Sequence, residues 1–74
     1  MRGSSFGPHV TVTDIERMLP ASVLRDTPGA SSILQKRAIE AGMSKKDLSI
    51  AIRAARIKDG EHPRQFFPRL GLKY

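Results

Sequence analysis

Between residues 44 and 56 stand six side chains whose types and spacing suit the holding of an anion: Ser44, Lys45, Lys46, Ser49, Arg53 and Arg56. If this stretch is helical, at about 100° per residue, Lys45, Lys46, Ser49, Arg53 and Arg56 fall within roughly one 100° arc that no acidic residue interrupts. Lysine offers a compact point charge, and arginine a planar fork that matches a phosphate or the edge of a guanine. Such a set binds; it does not make or break bonds. The chain offers little else to a chemist. His9 and His62 are its only histidines, far apart and without a carboxylate or second histidine at ligand spacing. Asp47, Asp59 and Glu61 read as caps and solubilising charge rather than as acid–base groups. There is no Ser/His/Asp set and no phosphate loop. The absence of cysteine removes disulfide scaffolds and cysteine-based zinc sites. The expectation is a binding protein, not an enzyme, with no cofactor and no metal.

The composition of the whole chain points the same way. Its 74 residues carry 13 Lys+Arg against 7 Asp+Glu, a net charge of +6 and an isoelectric point near 10.6. That balance favours polyanions: DNA, RNA, an anionic membrane or an acidic protein. A membrane span is not expected, since no apolar run approaches ~20 residues. The start, Met1-Arg2-Gly3-Ser4-Ser5, lacks the apolar stretch of a signal peptide, so a cytoplasmic location is expected. Met1-Arg2-Gly3-Ser4 also resembles the start of an expression tag, and residues 1–5 are not expected to carry function. A domain this small buries only ~60% of its unfolded surface, so its core is expected to be thin.

The elements that must position the basic side chains can be read from caps and breakers. Residues 1–11, rich in Gly, Pro and Ser, read as a flexible arm. Thr13-Asp14-Ile15-Glu16 is a capping box that predicts the start of a first helix, with Ile15, Met18 and Leu19 as its apolar stripe. Pro20 ends or bends that helix, and Val23 and Leu24 continue the apolar face. Asp26-Thr27-Pro28-Gly29 is a turn, after which Ser31 or Ser32 caps a second helix over about 32–41. Gly42 stands where a left-handed residue is wanted after a helix end. Ser44-Lys45-Lys46-Asp47 begins a third helix over about 45–58, closed by Asp59-Gly60. Leu48, Ala51, Ile52 and Ala55 form its core arc. Ile50, Ala54 and Ile57 form a further apolar arc, expected to pack on the first helix and the Phe66-Phe67 segment or else to join two copies of the chain. Residues 12–60 thus make a helical domain, and residues 61–74 a basic-aromatic tail that packs partly on it through Phe66 and Phe67, either extended or as a short β-wing across Asp59-Gly60. The expected fold class is mainly α, with three to four helices.

The stretch Ala38-Ile39-Glu40-Ala41-Gly42-Met43-Ser44-Lys45-Lys46-Asp47-Leu48 resembles the helix-turn-helix of phage and bacterial repressors and related small regulators. Ala38 stands at the small-residue position and Met43 at the apolar plug under the turn. Arg37 departs from the pattern, standing where such motifs carry an aliphatic residue; Leu34, one turn earlier, is placed to fill that space. The resemblance implies a support helix over about 32–41, a turn at 42–44 and a recognition helix over about 45–58. It further implies double-stranded DNA as partner, and a role as transcriptional regulator or architectural factor. In that arrangement Ser44, Lys45, Lys46 and Ser49 enter the major groove, Arg53 reads a guanine or holds a phosphate, and Arg56 holds a phosphate. Lys36, Arg64 and Arg69 are secondary basic contacts, and Ile50, Ala54 and Ile57 are candidates for a homodimer contact. Two rivals stand beside it. One is an RNA-binding or ribosome-associated protein, suggested by the pI and the basic-aromatic tail. The other is a module that docks on an acidic surface of a larger machine such as a polymerase.

Overall fold

The computed structural model describes residues 10–74. The fold is mainly α, built from α1 (Val12–Met18), α2 (Ala21–Asp26), α3 (Ala30–Glu40), α4 (Lys45–Ala55) and α5 (Pro63–Phe66), followed by a 3-10 turn over Pro68–Leu70. Among the described residues there is no strand. The arm expected over 1–11 lies outside the described residues up to position 9, and its last two members are structured. Val10 is buried, and Gln35 of α3 donates from Nε2 to its carbonyl at 3.1 Å.

Thr11, not Thr13, caps α1. Its hydroxyl accepts from the Asp14 amide at 3.1 Å, and the Asp14 carboxylate accepts from the Thr11 amide at 3.2 Å. Both threonines precede an acid by three residues. The earlier one wins because it puts Val10 and Ile15, both buried, at the two positions of a hydrophobic staple. A start at Thr13 would give those positions to Val12 and Arg17. Leu19 is extended before Pro20 and ends α1 as expected. The start of α3 also differs from expectation. Gly29 precedes it without a side-chain cap, and Ser31 is buried inside the first turn instead of capping it. Ala30 and Ser31 are buried where α3 meets its neighbours, and a hydroxyl cap cannot be there and at the helix end together.

The core gathers Val10, Ile15, Leu19, Val23, Ala30, Leu34, Ala38, Leu48, Ile52, Phe66, Phe67, Leu70 and Leu72. The tail is therefore part of the domain rather than an appendage, and no β-wing forms. Pro63 and Pro68 each open a short helical turn, where a missing amide costs nothing. The His62 Nδ1 accepts from the Arg64 amide at 3.0 Å as the cap of α5. Asp59-Gly60 does make a turn, with the Glu61 amide donating to the Lys58 carbonyl at 3.1 Å. It is held sideways, because the Gly60 amide donates to Ser22 Oγ at 2.7 Å. The ring of Tyr74, although partly exposed, meets Phe67 and His62 edge-on, with centroids 5.2 and 5.4 Å away.

α1 packs mainly on α3, and α4 mainly on the C-terminal 3-10 turn. α3 and α4 are thus each held mainly by other elements and joined by the turn between them.

Candidate nucleic-acid interface

That turn is built from local chemistry. Gly42 takes φ +74. Its amide donates to Ile39 at 3.0 Å, and the Met43 amide reaches back to Ala38 at 2.9 Å. This pair of bonds is a Schellman motif, which satisfies carbonyls left open at a helix end. Ala38 is fully buried, and Met43 packs against the core from the other side of the glycine. Two residues later Ser44 caps α4: its Oγ accepts from the Asp47 amide at 3.0 Å. The chain therefore leaves one helix and enters the next within four residues.

The turn exposes one face of α4. Leu48 and Ile52 are buried while Lys45, Lys46, Asp47, Ile50, Arg53 and Ala54 are exposed. The expected extent to residue 58 is too long. Arg56 adopts a left-handed conformation, φ 50 and ψ 58, and stops the helix after Ala55. The freed Ala55 carbonyl accepts from Arg69 Nε at 3.2 Å. This ending also breaks the apolar arc of Ile50, Ala54 and Ile57. Ile57 folds back against the core, whereas Ile50 and Ala54 stay exposed on the helix. The three do not form one face, and Ile50 and Ala54 do not pack on α1 or the Phe66-Phe67 segment.

The structure sorts the expected contact residues into three groups. Ser49, Arg53 and Arg56 line one open groove of about 600 Å³ between α4 and the end of α1. Arg17, Met18, Leu19, Pro20, Ile52 and Ile57 complete its walls and floor. Ser44, Lys45 and Lys46 sit at the head of α4, outside that groove. Ser44 Oγ is engaged in the cap. Lys45 Nζ lies 3.3 Å from Asp14 of α1, so its charge is partly answered. Lys46 is exposed and has no carboxylate partner among the described residues. Lys36, Arg64 and Arg69 lie elsewhere.

Arg69 is in no position to serve as a free cation. Its Nη1 and Nη2 meet the Glu61 carboxylate at 2.7 and 2.8 Å, and Nη1 also donates to the Gln65 carbonyl at 3.2 Å. The Arg69 fork, helped by the Lys58 amide, holds the Glu61 carboxyl down to about 2. Asp14 is lowered as well, chiefly by the Thr11 amide, then by the Thr11 hydroxyl and Lys45. Arg37, the departure from the motif, turns outward to Glu40 at 3.0 Å, while its Nε is buried without a hydrogen-bond partner. Leu34 is fully buried from the turn before it.

Arg17 is the contact candidate that sequence reasoning missed. It comes from a different helix, and only the tertiary fold brings the end of α1 to the groove that Arg53 and Arg56 line. Among the described residues none of these three arginines pairs with a carboxylate; the ion pairs found are Arg25–Asp26, Arg37–Glu40, Lys45–Asp14 and Arg69–Glu61. Among the same residues no three His, Asp or Glu side chains converge to hold a metal ion, and no helix is long and apolar enough to cross a membrane. Comparison with family models, curated proteins and solved structures finds no match to this chain.

Proposed function

We propose that the chain is a small DNA-binding protein that uses α3, the Gly42 turn and α4 as a helix-turn-helix, with α4 as the recognition helix, and that it acts as a transcriptional regulator or architectural factor. One observation carries this reading. A glycine-centred turn presents a helix whose outward side holds Lys46 and Arg53, continued by Arg56, with no carboxylate paired to any of them among the described residues. Unanswered cations on one rigid helix suit a regular polyanion. Residues near the helix head would approach base edges, and the flanking arginines would hold phosphates.

The RNA reading rests on the isoelectric point and on the basic-aromatic tail, and part of that tail is engaged in the fold. Phe66 and Phe67 are buried and Arg69 is bound to Glu61, which removes these three from contact with unpaired bases and leaves His62, Arg64, Lys73 and Tyr74 exposed there. A homodimer would need more than Ile50 and Ala54, the two apolar side chains that α4 leaves outside.

The test is titration of a labelled random duplex at increasing salt. Binding that weakens steeply, with a slope set by the phosphates contacted, is expected. No duplex binding at low salt would sink the proposal and leave an acidic protein surface as the better partner.

A further inference from the structure

The groove between α1 and α4 holds more than the recognition helix needs. Three arginines, Arg17, Arg53 and Arg56, rise around a floor that includes Leu19 and Ile52. They approach from two helices, so the charge is arranged along a channel and not merely along one helical face. The floor is already spent on the core: Leu19 and Ile52 are only 5% and 7% exposed. The apolar surface still open there is divided among the half-buried Met18, Pro20 and Ile57 along an open groove, which is not the deep pocket that the anchor side chain of a peptide fills. No aromatic residue lines the groove, so it offers no platform for unstacked bases. What remains is positive charge with fork geometry, matched to phosphate oxygens, around an open groove of about 600 Å³.

We infer that this groove seats one sugar–phosphate strand of duplex DNA, with Arg17 supplying a phosphate contact from outside the helix-turn-helix. The inference rests on the DNA-binding reading and adds to it a strand path and a residue. With α4 in the major groove, a backbone running along its flank would pass between Arg17 on one side and Arg53 and Arg56 on the other. Ser49, which also lines the groove, would add a hydroxyl donor.

The experiment compares Arg17→Gln with Arg25→Gln. Arg25 is an exposed arginine of α2 that does not line the groove, so its loss removes the same charge without touching the site. Binding to a fluorescent random duplex is followed by anisotropy across a salt series, and thermal melting checks that each variant folds. Arg17→Gln is expected to weaken binding about fivefold at low salt and to reduce the log–log salt slope by about one, the signature of one lost phosphate contact. Arg25→Gln should change affinity by less than about twofold with an unchanged slope. If wild type binds duplex and Arg17→Gln binds equally well, the groove is not the strand path although the function stands. Equal losses in both variants overturn the inference too, because they would report net charge alone. Tighter binding of single strand than of duplex overturns it as well. Absence of duplex binding by wild type removes the functional reading itself, and Arg17-dependent binding of poly-glutamate in its place would assign the groove to a protein.

Discussion

Glu61 and Arg69 meet in a two-pronged ion pair, and the same guanidinium donates from Nε to the last carbonyl of α4, Ala55, at 3.2 Å. One side chain thereby closes the end of α4 and ties it to the tail. The pair predicts how stability depends on pH. The Glu61 carboxyl is held at about 2 in the folded chain, against about 4.3 for an unperturbed glutamate. The folded state favours the ionised form, so the contribution is complete above the unfolded value and is lost as pH falls toward the folded one. Melting temperature should therefore decline between about pH 5 and pH 2. Asp14, lowered by its bonds to Thr11, adds to the decline with the same sign. Glu61→Gln should melt lower than wild type at neutral pH and lose less across that acid window. An unaltered acid profile would show that the pair contributes nothing to the fold.

The bound state of Arg69 separates it from the residues proposed to contact DNA. Arg69→Ala is expected to lower the melting temperature and leave the salt slope of DNA binding as it is in wild type. A slope smaller by about one, with stability intact, would instead return Arg69 to the interface.

Arg56 gives a prediction in which two effects have opposite signs. A non-glycine residue in the left-handed region costs about 1–2 kcal/mol, a cost glycine escapes at the expense of a freer unfolded chain. Arg56→Gly should stabilise the fold by about 0.5–1 kcal/mol, which for a chain of this size raises the melting point by roughly 2–8 °C. It should at the same time weaken DNA binding by deleting one groove arginine. Calorimetry and anisotropy on the same sample check both. A lower melting point would mean that the arginine stem contributes packing that outweighs the strain.

How far the sequence disclosed this arrangement depends on the range of the forces involved. The Gly42 turn and the Ser44 cap were legible because a Schellman motif and a capping box involve only neighbours within five residues. Local sequence does not distinguish a cap at Thr11 from one at Thr13 because two such boxes overlap, and only the burial of Val10 and Ile15 in the shared core chooses between them. The end of α4 was placed three residues late for a related reason. Asp59-Gly60 is the stronger local stop signal, while the actual stop at Arg56 is supported by Arg69, fourteen residues away. The basic arc on α4 could be drawn from the 100° period, yet its partner Arg17 could not, since nothing in the spacing of α1 says which helix lies beside it. The free or bound state of a cation is likewise a tertiary fact: Lys46 and Arg69 look alike in sequence, and only packing gives the second a carboxylate.

Ser44 and Asp47 predict a measurable cap. Ser44→Ala removes the acceptor for the Asp47 amide and should cost about 1 kcal/mol, or roughly 4–8 °C. Gly42→Ala should cost a similar amount for a different reason. A Cβ there meets nothing within 4 Å, so the loss is conformational strain at φ +74, about 1–2 kcal/mol. A larger loss at Gly42 would indicate a close approach across the turn that the geometry does not contain.

The face of α4 proposed to bind and the face that folds should separate cleanly by mutation. Leu48 is fully buried, and Leu48→Ala should cost about 2–5 kcal/mol, a large share of the stability of so small a domain. Lys46 and Arg53 are exposed and without carboxylate partners among the described residues, so Lys46→Ala and Arg53→Ala should leave stability within about 0.5 kcal/mol. Their effects on binding should differ from each other. Loss of a phosphate contact weakens all sequences alike and lowers the salt slope by about one, whereas loss of a base contact costs about 1–3 kcal/mol at one position and relaxes preference there. A selection of binding sites from random duplexes, repeated with Arg53→Ala, distinguishes the two. If Arg53→Ala unfolds the chain and Leu48→Ala spares it while weakening binding, the helix presents the opposite face and α4 does not enter the groove as proposed.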